Sequence, residues 1–169
     1  MKFFSTNLDS LRKLYIDQLQ QLYSAEMQIT EALPKMIKAS TEPELRQALQ
    51  GHLEETQVHI SRLAQILQET VHDIDSKRNK GVAALIAEGE DVIKDTSDES
   101  VRDAGIIAEI QKMEHYEMAA YGTVRNFAEI LGESDHADML EQTLDEEKNV
   151  DAVLTSISDL ANTRADKAA

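Results

Sequence analysis

Apolar residues recur roughly every three to four positions along most of the chain, which is the spacing of one face of an α-helix. The pattern predicts a short amphipathic helix over residues 81–93, after a turn-like segment. It also predicts four long helices, over residues 5–39 (with a start between residues 5 and 7), 42–71, 99–131 and 134–161. Pro34 lies inside the first long helix and predicts a kink or break at that point.

The connections between these helices predict how they pack. Ser40 and Thr41 form a short link that makes the first two long helices an antiparallel hairpin, and Gly132 ends the third just before the fourth begins. Residues 72–98 are long enough to cross a bundle. We therefore expect an all-α, ferritin-like four-helix bundle, with two helical hairpins joined by a crossover that carries a short fifth helix. A plain up-and-down bundle, with the short helix packed outside, is the alternative.

Length and composition indicate a single domain. The 169 residues include only 6 Gly and 2 Pro, and the hydrophobic fraction of 41% supports a folded core. We expect one ferritin-like helical bundle domain over residues 1–161 and a flexible C-terminal tail over residues 162–169.

Charge and cysteine content exclude several classes of function. The chain has 32 acidic and 17 basic residues, and its net charge of −15 disfavours binding to nucleic acid or anionic membranes. The absence of cysteine excludes disulfides, thiolate metal sites and cysteine nucleophiles. No secretory signal or membrane span is recognisable, so we expect a cytoplasmic protein with neither nucleic-acid nor membrane partners.

Each long helix carries a glutamate inside its apolar stripe: Glu26, Glu55, Glu117 and Glu147. A buried, unpaired carboxylate costs several kcal/mol or must stay protonated. One such residue per helix indicates a shared polar site in the middle of the bundle. In an all-helical protein such a site most often binds metal.

Helical spacing adds two histidines on the second long helix. His52 and His59 lie at the centre of its apolar stripe, whereas Glu55 lies at the edge and Glu54 faces solvent. A single core histidine is usually just a hydrogen-bonded core residue. Two histidines that bracket a glutamate, on a face opposite Glu26, favour a ligand role more strongly. The spacing does not decide which of the two faces the carboxylates.

The third and fourth long helices contribute more carboxylates. Glu114 and Glu117 lie one turn apart on the same side of the third helix. Two like charges that close require a cation between them or a shared proton. On the fourth helix Glu147 is the inward candidate, and Glu146, at the border of the stripe, is the fallback.

Carboxylate and imidazole ligands without thiolate suit iron or manganese, in a mono- or dinuclear site, and zinc is also compatible. Five glutamates would oppose the +4 charge of two divalent ions, which makes a buried acidic cluster tolerable. Without metal, several of them must be protonated. The candidate metal ligands are Glu26, His52, Glu55, His59, Glu114, Glu117 and Glu147.

A second apolar surface lies on the rear of the third long helix, at Tyr116, Ala120, Phe127 and Leu131. A helix that is apolar on more than one face is buried on more than one face. Either the short helix covers this surface or a second copy of the chain does. Of the two, we expect a homodimer.

Four motifs carry a resemblance to a known family: Tyr23-Ser24-Ala25-Glu26, His52-Leu53-Glu54-Glu55-Thr56, Glu114-His115-Tyr116-Glu117 and Glu146-Glu147-Lys148. The chain resembles the YciF/YciE family of bacterial stress-response proteins from about residue 8 to residue 160. The resemblance implies a dimeric, ferritin-like four-helix bundle with an additional short helix. It implies a role in stress responses but no defined biochemical activity, so whether the protein is an enzyme stays open.

The wider ferritin-like superfamily, which includes rubrerythrins, builds a di-iron site from Glu on two helices and Glu-x-x-His on the other two. The resemblance implies matching roles for Glu26, Glu55, Glu114 and Glu147, and Glu117 resembles an extra carboxylate of rubrerythrin-type sites. The histidines do not match. His52 precedes Glu55, His59 follows it by one residue too many, and Val150 stands where the second histidine would be.

Two hypotheses follow from the sequence. In the first, the protein is a stress-response protein with a carboxylate-rich iron or manganese site in the bundle core. In the second, it is a non-enzymatic, dimeric helical bundle whose polar core is a metal-free relic, and it acts through protein–protein contacts.

Overall fold

The computed structural model describes residues 8–74 and 76–168, and within this part of the chain all regular structure is helical. Four long helices and one short helix follow each other in the predicted order. They are α1 (Leu11–Ala39), α2 (Pro43–Val71), α3 (Lys80–Asp95), α4 (Glu99–Leu131) and α5 (Ser134–Asp166).

Side-chain caps set three of the helix starts. The Ser10 side chain accepts a hydrogen bond from the third residue of α1, Asn79 does the same at α3, and Asp98 accepts two at α4. At the other end of α4, Gly132 has a φ of 79°, a left-handed conformation that glycine adopts without strain. Local sequence signals therefore account for three helix starts and for the end of α4.

Two helix boundaries, and the course of α1 at Pro34, differ from the sequence predictions. Leu11 begins α1 because Ser10 is its cap, and the start predicted at residues 5–7 lies outside the described residues. The same helix continues through Pro34 without a break. At the C-terminus α5 continues to Asp166, so residues 162–166 are helical instead of belonging to the predicted tail. Tertiary contact explains this extension, because Ala161 is buried and Arg164 pairs with Glu42 of the α2 cap.

Contacts at the two ends of the bundle establish its topology. At one end, the start of α5 meets the start of α1, where the Tyr15 hydroxyl and His136 Nδ1 lie 3.4 Å apart. At the other end, Asp103 near the start of α4 bonds Thr41 just before α2. Hence α2 and α4 run in the same direction, on opposite corners, and their connection must cross the bundle. This is the predicted ferritin-like arrangement, in which α1 packs against α2 and α4, and α5 packs against the same two helices.

The short helix α3 lies in the groove between α1 and α4. Its first turn covers Tyr116, whose hydroxyl accepts a hydrogen bond of 2.8 Å from the Asn79 side chain. Near its last turn, Gly105 is needed for close approach, since a Cβ there would lie 2.5 Å from Val92. The short helix thus covers Tyr116, one residue of the predicted rear surface of α4. The homodimer itself stays a prediction.

Two apolar clusters fill the bundle, one toward each end. The first contains Ala25, Ile29, Leu49, Ile110 and Leu154 among others, and the second contains Tyr15, Leu19, Leu63, Val124 and Leu140 among others. Between them lies a layer of buried polar side chains from α1, α2, α4 and α5. The candidate functional residues therefore sit at mid-height, with close-packed apolar residues above and below.

Asp103 of α4 binds the two residues that precede α2. Glu42, at the N-cap position, makes no side-chain cap bond, and the buried Asp103 carboxylate instead accepts from the backbone N–H groups of Thr41 and Glu42, each at 2.8 Å. It also accepts from the Thr41 hydroxyl at 2.6 Å. The two hairpins are therefore joined at this end by a charged hydrogen-bond acceptor on α4.

We expect Asp103→Ala to lower the free energy of unfolding by about 2–4 kcal/mol, because it leaves buried donors unsatisfied. The matched control is Asp98→Ala, which removes an exposed cap within α4 itself and should cost only about 1 kcal/mol. Chemical denaturation followed by circular dichroism measures both. Equal losses in the two variants would contradict a special role for Asp103.

Candidate metal centre

Six ionisable side chains from four helices meet in the polar layer. They are Glu26 of α1, His52 and His59 of α2, Glu114 and Glu117 of α4, and Glu147 of α5, and none is more than 2% exposed. All six were predicted from their place in the apolar stripes. The structure brings them together because the four stripes face one another at the same height of the bundle.

The six residues form two overlapping groups that could hold metal ions. One group is His52, Glu114, Glu117 and Glu147, and the other is Glu26, His59 and Glu147. Within each group one potential ligand atom per residue lies within 4.8 Å of the others. Glu147 belongs to both, which is the position of a carboxylate that could bridge two ions.

His59 connects this cluster to the outside of the bundle. Its Nδ1 lies 3.1 Å from Glu147 and 3.4 Å from Glu26, while its Nε2 lies 3.0 Å from Glu146. Arg62 holds Glu146 through both guanidinium nitrogens and also donates to Thr143. A carboxylate on one ring nitrogen orients an imidazole and directs the other nitrogen toward the cluster, as is common around metal-binding histidines.

Glu146 thus has a role that differs from the fallback ligand considered from the sequence. It is partly buried and binds the far side of His59, so it supports the cluster without belonging to either group. Neither Arg62 nor Thr143 was singled out from the sequence. The only available signal was helical register. Arg62 lies one turn after His59, and Thr143 lies one turn before Glu146 and Glu147.

Many polar atoms of the cluster lack hydrogen-bond partners among the described residues. They include both carboxylate oxygens of Glu114, Glu117 and Glu147, one oxygen of Glu26, and Nδ1 of His52 and His59. His52 Nε2 lies 3.2 Å from Glu114, within ion-pair distance. Buried polar atoms without partners are rare in folded proteins, so a concentration of them on one point calls for an explanation.

Tyr121 of α4 adds a hydrogen-bond donor that sequence reasoning missed. The sequence pattern places it among the apolar neighbours of Glu114, and it is indeed fully buried, but its hydroxyl donates to Glu26. Burial, together with the charges of Glu26 and Glu147, raises the pKa of this hydroxyl well above its ordinary value. Tyr121 therefore keeps its proton and positions one oxygen of Glu26.

Burial favours the neutral form of every carboxyl group in the cluster, but neighbouring groups outweigh it at Glu147. It raises the pKa of Glu114 and Glu117 well above the ordinary value of 4.5, and Glu147 and Glu26 add to the effect. The pKa of Glu26 is also raised, by burial and by Glu147, although His59 and Tyr121 oppose the shift. Without a cation, Glu114 and Glu117 therefore keep their protons to a higher pH than an exposed glutamate does.

His59 and Glu147 form a charged pair. Burial opposes the charged form of His59, but the carboxylates of Glu147 and Glu26 outweigh it and raise its pKa to about 10. Burial likewise opposes ionisation of Glu147, but His59 and His52 lower its pKa below the ordinary value. For His52 burial dominates and lowers the pKa. The metal-free core thus contains a charged pair beside a neutral histidine.

Glu55 is the one predicted ligand that the structure leaves out of both groups. Seven residues separate His52 from His59, which is close to two helical turns, so both histidines point inward and Glu55 points to the side. It is half-buried, and burial together with Glu146 and Glu147 raises its pKa despite the opposing effect of His59. Glu54 is exposed, as predicted.

Comparison with known proteins identifies the family. The family described as a domain of unknown function, DUF892, matches residues 10–167. The chain belongs to this family. Protein YciF of Escherichia coli (strain K12) is 43% identical to this DUF892 protein over 154 residues, which cover 90% of the chain and 92% of YciF. The family resemblance expected from the four motifs is therefore confirmed.

Solved structures agree with this fold. The structure of YciF, described as an E. coli stress protein, is 38% identical with a TM-score of 0.88 and covers 92% of this chain and 98% of its own. YcfI from Rhodopseudomonas palustris is 39% identical with a TM-score of 0.87, and the match covers 90% of this chain and 98% of YcfI. A Xanthomonas campestris protein at 20% identity shares the fold, with a TM-score of 0.76 over 92% and 95%.

The ferritin-like helical bundle predicted for this DUF892 protein is thus confirmed. In the described residues, no helix has both the length and the apolar character that a membrane span requires.

The pKa shifts predict an unusual pH dependence for the metal-free protein. Glu114, Glu117 and His59 hold protons in the folded chain that they release on unfolding, so raising the pH favours the unfolded state. We expect the free energy of unfolding to fall as the pH rises from about 5 toward 10. Denaturation of chelator-treated protein at several pH values measures this slope.

Glu117→Gln should reduce the slope by up to about 1.4 kcal/mol per pH unit, because glutamine resembles the protonated carboxyl and does not titrate. Glu54→Gln, an exposed change on α2, is the matched control and should leave the slope unaltered. Identical slopes in the two variants would show that Glu117 does not titrate differently in the folded and unfolded chains.

Proposed function

We propose that this protein binds two divalent cations, iron or manganese, in the core of its bundle and acts in a bacterial stress response through this site. The observation that carries the proposal is the convergence of buried carboxylate and imidazole atoms, many without a hydrogen bond among the described residues, on two overlapping groups that share Glu147. A cation stabilises buried carboxylates and imidazoles because its positive charge compensates them where hydrogen bonds are absent.

The donor set fits such a cation. The two groups contain four carboxylates, so two divalent ions balance their charge, a closer match than the five glutamates expected from the sequence. Oxygen and imidazole donors without thiolate favour iron or manganese, although they also accept zinc. In the bound state the ions would replace the protons on Glu114, Glu117 and His59, since ligands must be deprotonated.

The arrangement differs from the Glu-x-x-His pattern of the wider superfamily. Here α2 supplies two histidines two turns apart, one to each group, and α4 supplies a pair of carboxylates one turn apart. The proposal covers metal binding and leaves turnover aside, because the missing superfamily histidine on α5 argues against assuming ferroxidase or peroxidase chemistry.

The stress role is supported by the relative, since YciF is described as a stress protein and covers almost the whole chain. Binding of iron or manganese suits such a role, because both metals cycle between oxidation states in reactions with oxygen or peroxide. A homodimer remains part of the proposal, resting on the rear surface of α4, where Phe127 and Leu131 are only partly buried.

Metal stoichiometry tests the proposal directly. We expect about two ions per chain after anaerobic loading with Fe(II) or Mn(II), measured by elemental analysis of protein purified without a metal-affinity tag. Glu147→Gln should lose both ions because it removes the shared ligand. His52→Ala should keep about one ion, at Glu26, His59 and Glu147.

Glu54→Gln is the matched control and should bind like the wild type, because Glu54 is exposed on the same helix. Circular dichroism confirms that each variant is folded. A wild-type protein that takes up no stoichiometric metal would contradict the proposal, as would full binding by Glu147→Gln.

The second function, a metal-free polar core in a bundle that acts through protein contacts, is favoured by one observation. The raised pKa values of Glu114 and Glu117 favour their neutral forms, and the charge of His59 offsets that of Glu147, so the cluster approaches neutrality without any cation. A relic core of this kind should be stabilised when a carboxylate is replaced by an apolar residue.

Glu26→Leu separates the two functions. If the core is a relic, the variant should raise the thermal midpoint and added Mn(II) should change neither protein. If the core binds metal, Mn(II) should raise the midpoint of the wild type by binding linkage, and the variant should lose most of this response. Differential scanning calorimetry with and without Mn(II) measures both.

A further inference from the structure

A cleft of about 360 Å³ opens between α2 and α5 on the side of the bundle. Its rim consists of exposed residues from both helices, among them Glu44, Gly51, Val153 and Ser156. Its floor consists of the buried side chains of His52, Val150 and Ile157. The cleft therefore leads from solvent to a buried residue of the candidate metal centre.

His52 links the cleft to that centre. It lines the floor of the cleft, yet its Nε2 lies 3.2 Å from Glu114 in the first metal group. Its Nδ1 is buried and has no hydrogen-bond partner among the described residues. One imidazole thus separates the cleft from the carboxylates of the first metal group.

The rim is acidic. Glu44 and Glu55 line the cleft, and among its described lining residues none is lysine or arginine. Carboxylates at the mouth of a cleft with low-dielectric walls raise the local concentration of cations and speed their association. This position also gives Glu55 a place beside the route inward, three residues along α2 from His52, although it belongs to neither metal group.

Gly51 offers a position at which the cleft can be blocked. It is exposed on the rim, one residue before His52, and a Cβ built there would meet no atom within 4 Å. Glycine in the middle of a helix destabilises it by roughly 0.5–1 kcal/mol relative to alanine, so its presence inside α2 is not explained by helix stability. The absent side chain leaves open space on the rim of the cleft whose floor includes His52.

We infer that this cleft is the route by which divalent cations reach the buried centre, with Glu44 and Glu55 attracting the ion at the rim and His52 receiving it at the floor. The inference rests on the proposed metal binding but concerns the rate of loading instead of the final affinity. Other residues of the bundle surface are not required for it.

Blocking the cleft tests the route. Wild type, Gly51→Leu and Ser156→Leu are made metal-free and mixed anaerobically with Mn(II), and samples are quenched with chelator and desalted at increasing times. Elemental analysis then gives both the loading rate and the final stoichiometry. We expect the rate to fall by about tenfold or more in each leucine variant, because an obstructed path lowers the association rate, while the final stoichiometry stays at the wild-type value.

Two controls accompany these variants. Gly51→Ala adds only a methyl group in open space and should load at nearly the wild-type rate. Gln50→Leu places the same bulky side chain on an exposed position of α2 outside the cleft and should also load normally. Wild-type loading rates in both Gly51→Leu and Ser156→Leu would overturn the route and leave the metal centre intact. A wild-type protein that never takes up Mn(II) would instead overturn the metal centre, and the route with it.

The acidic rim is tested by the double variant Glu44→Gln and Glu55→Gln. Its loading should be slower than that of the wild type at low salt, and the difference should disappear as salt screens the charges. The final stoichiometry should not change. A lower stoichiometry at an unaltered rate would make Glu55 a metal ligand after all and would overturn its place on the route.

Discussion

The burial of four carboxylates in one layer is the constraint on which the rest of the structure depends. Glu26, Glu114, Glu117 and Glu147 lie between two close-packed apolar clusters, where an uncompensated negative charge is not tolerated. The layer must be neutralised by protons or by cations. The same side chains satisfy both states, because the carboxyls and His59 that hold protons in the metal-free protein are the groups that a cation would engage.

The bundle holds this layer rigid through contacts that reach outward from it. Arg62 fixes Glu146, Glu146 binds one nitrogen of His59, and the other nitrogen faces the carboxylates. On the opposite side the hydroxyl of Tyr121 fixes Glu26. At the end of the bundle Asp103 joins the two hairpins. A site that is positioned by such contacts on helices, instead of loops, keeps its geometry whether or not an ion is bound.

The departure from the superfamily pattern has a simple geometric explanation. Glu55 would match a superfamily ligand by its place in the sequence, but α2 points His52 and His59 inward two turns apart and leaves Glu55 at the side. Because Glu55 lies outside both metal groups, the core contains one negative charge fewer and keeps four carboxylates for two divalent cations. It also places an acidic residue on the rim of the cleft between α2 and α5.

The sequence by itself determined the five helices, their order and which glutamates and histidines lie in the apolar stripes, because each of these follows from helical periodicity, capping and loop length. It could not determine which oxygen or nitrogen atoms meet, since those distances depend on how four separate helices rotate against one another. Periodicity therefore identified Tyr121 only as an apolar neighbour, although its hydroxyl donates to Glu26. It also missed the extension of α5, because Arg164 and Glu42 come together only in the folded bundle. The tertiary structure alone decided that both histidines face the carboxylates, that Glu147 is shared, and that a cleft reaches His52.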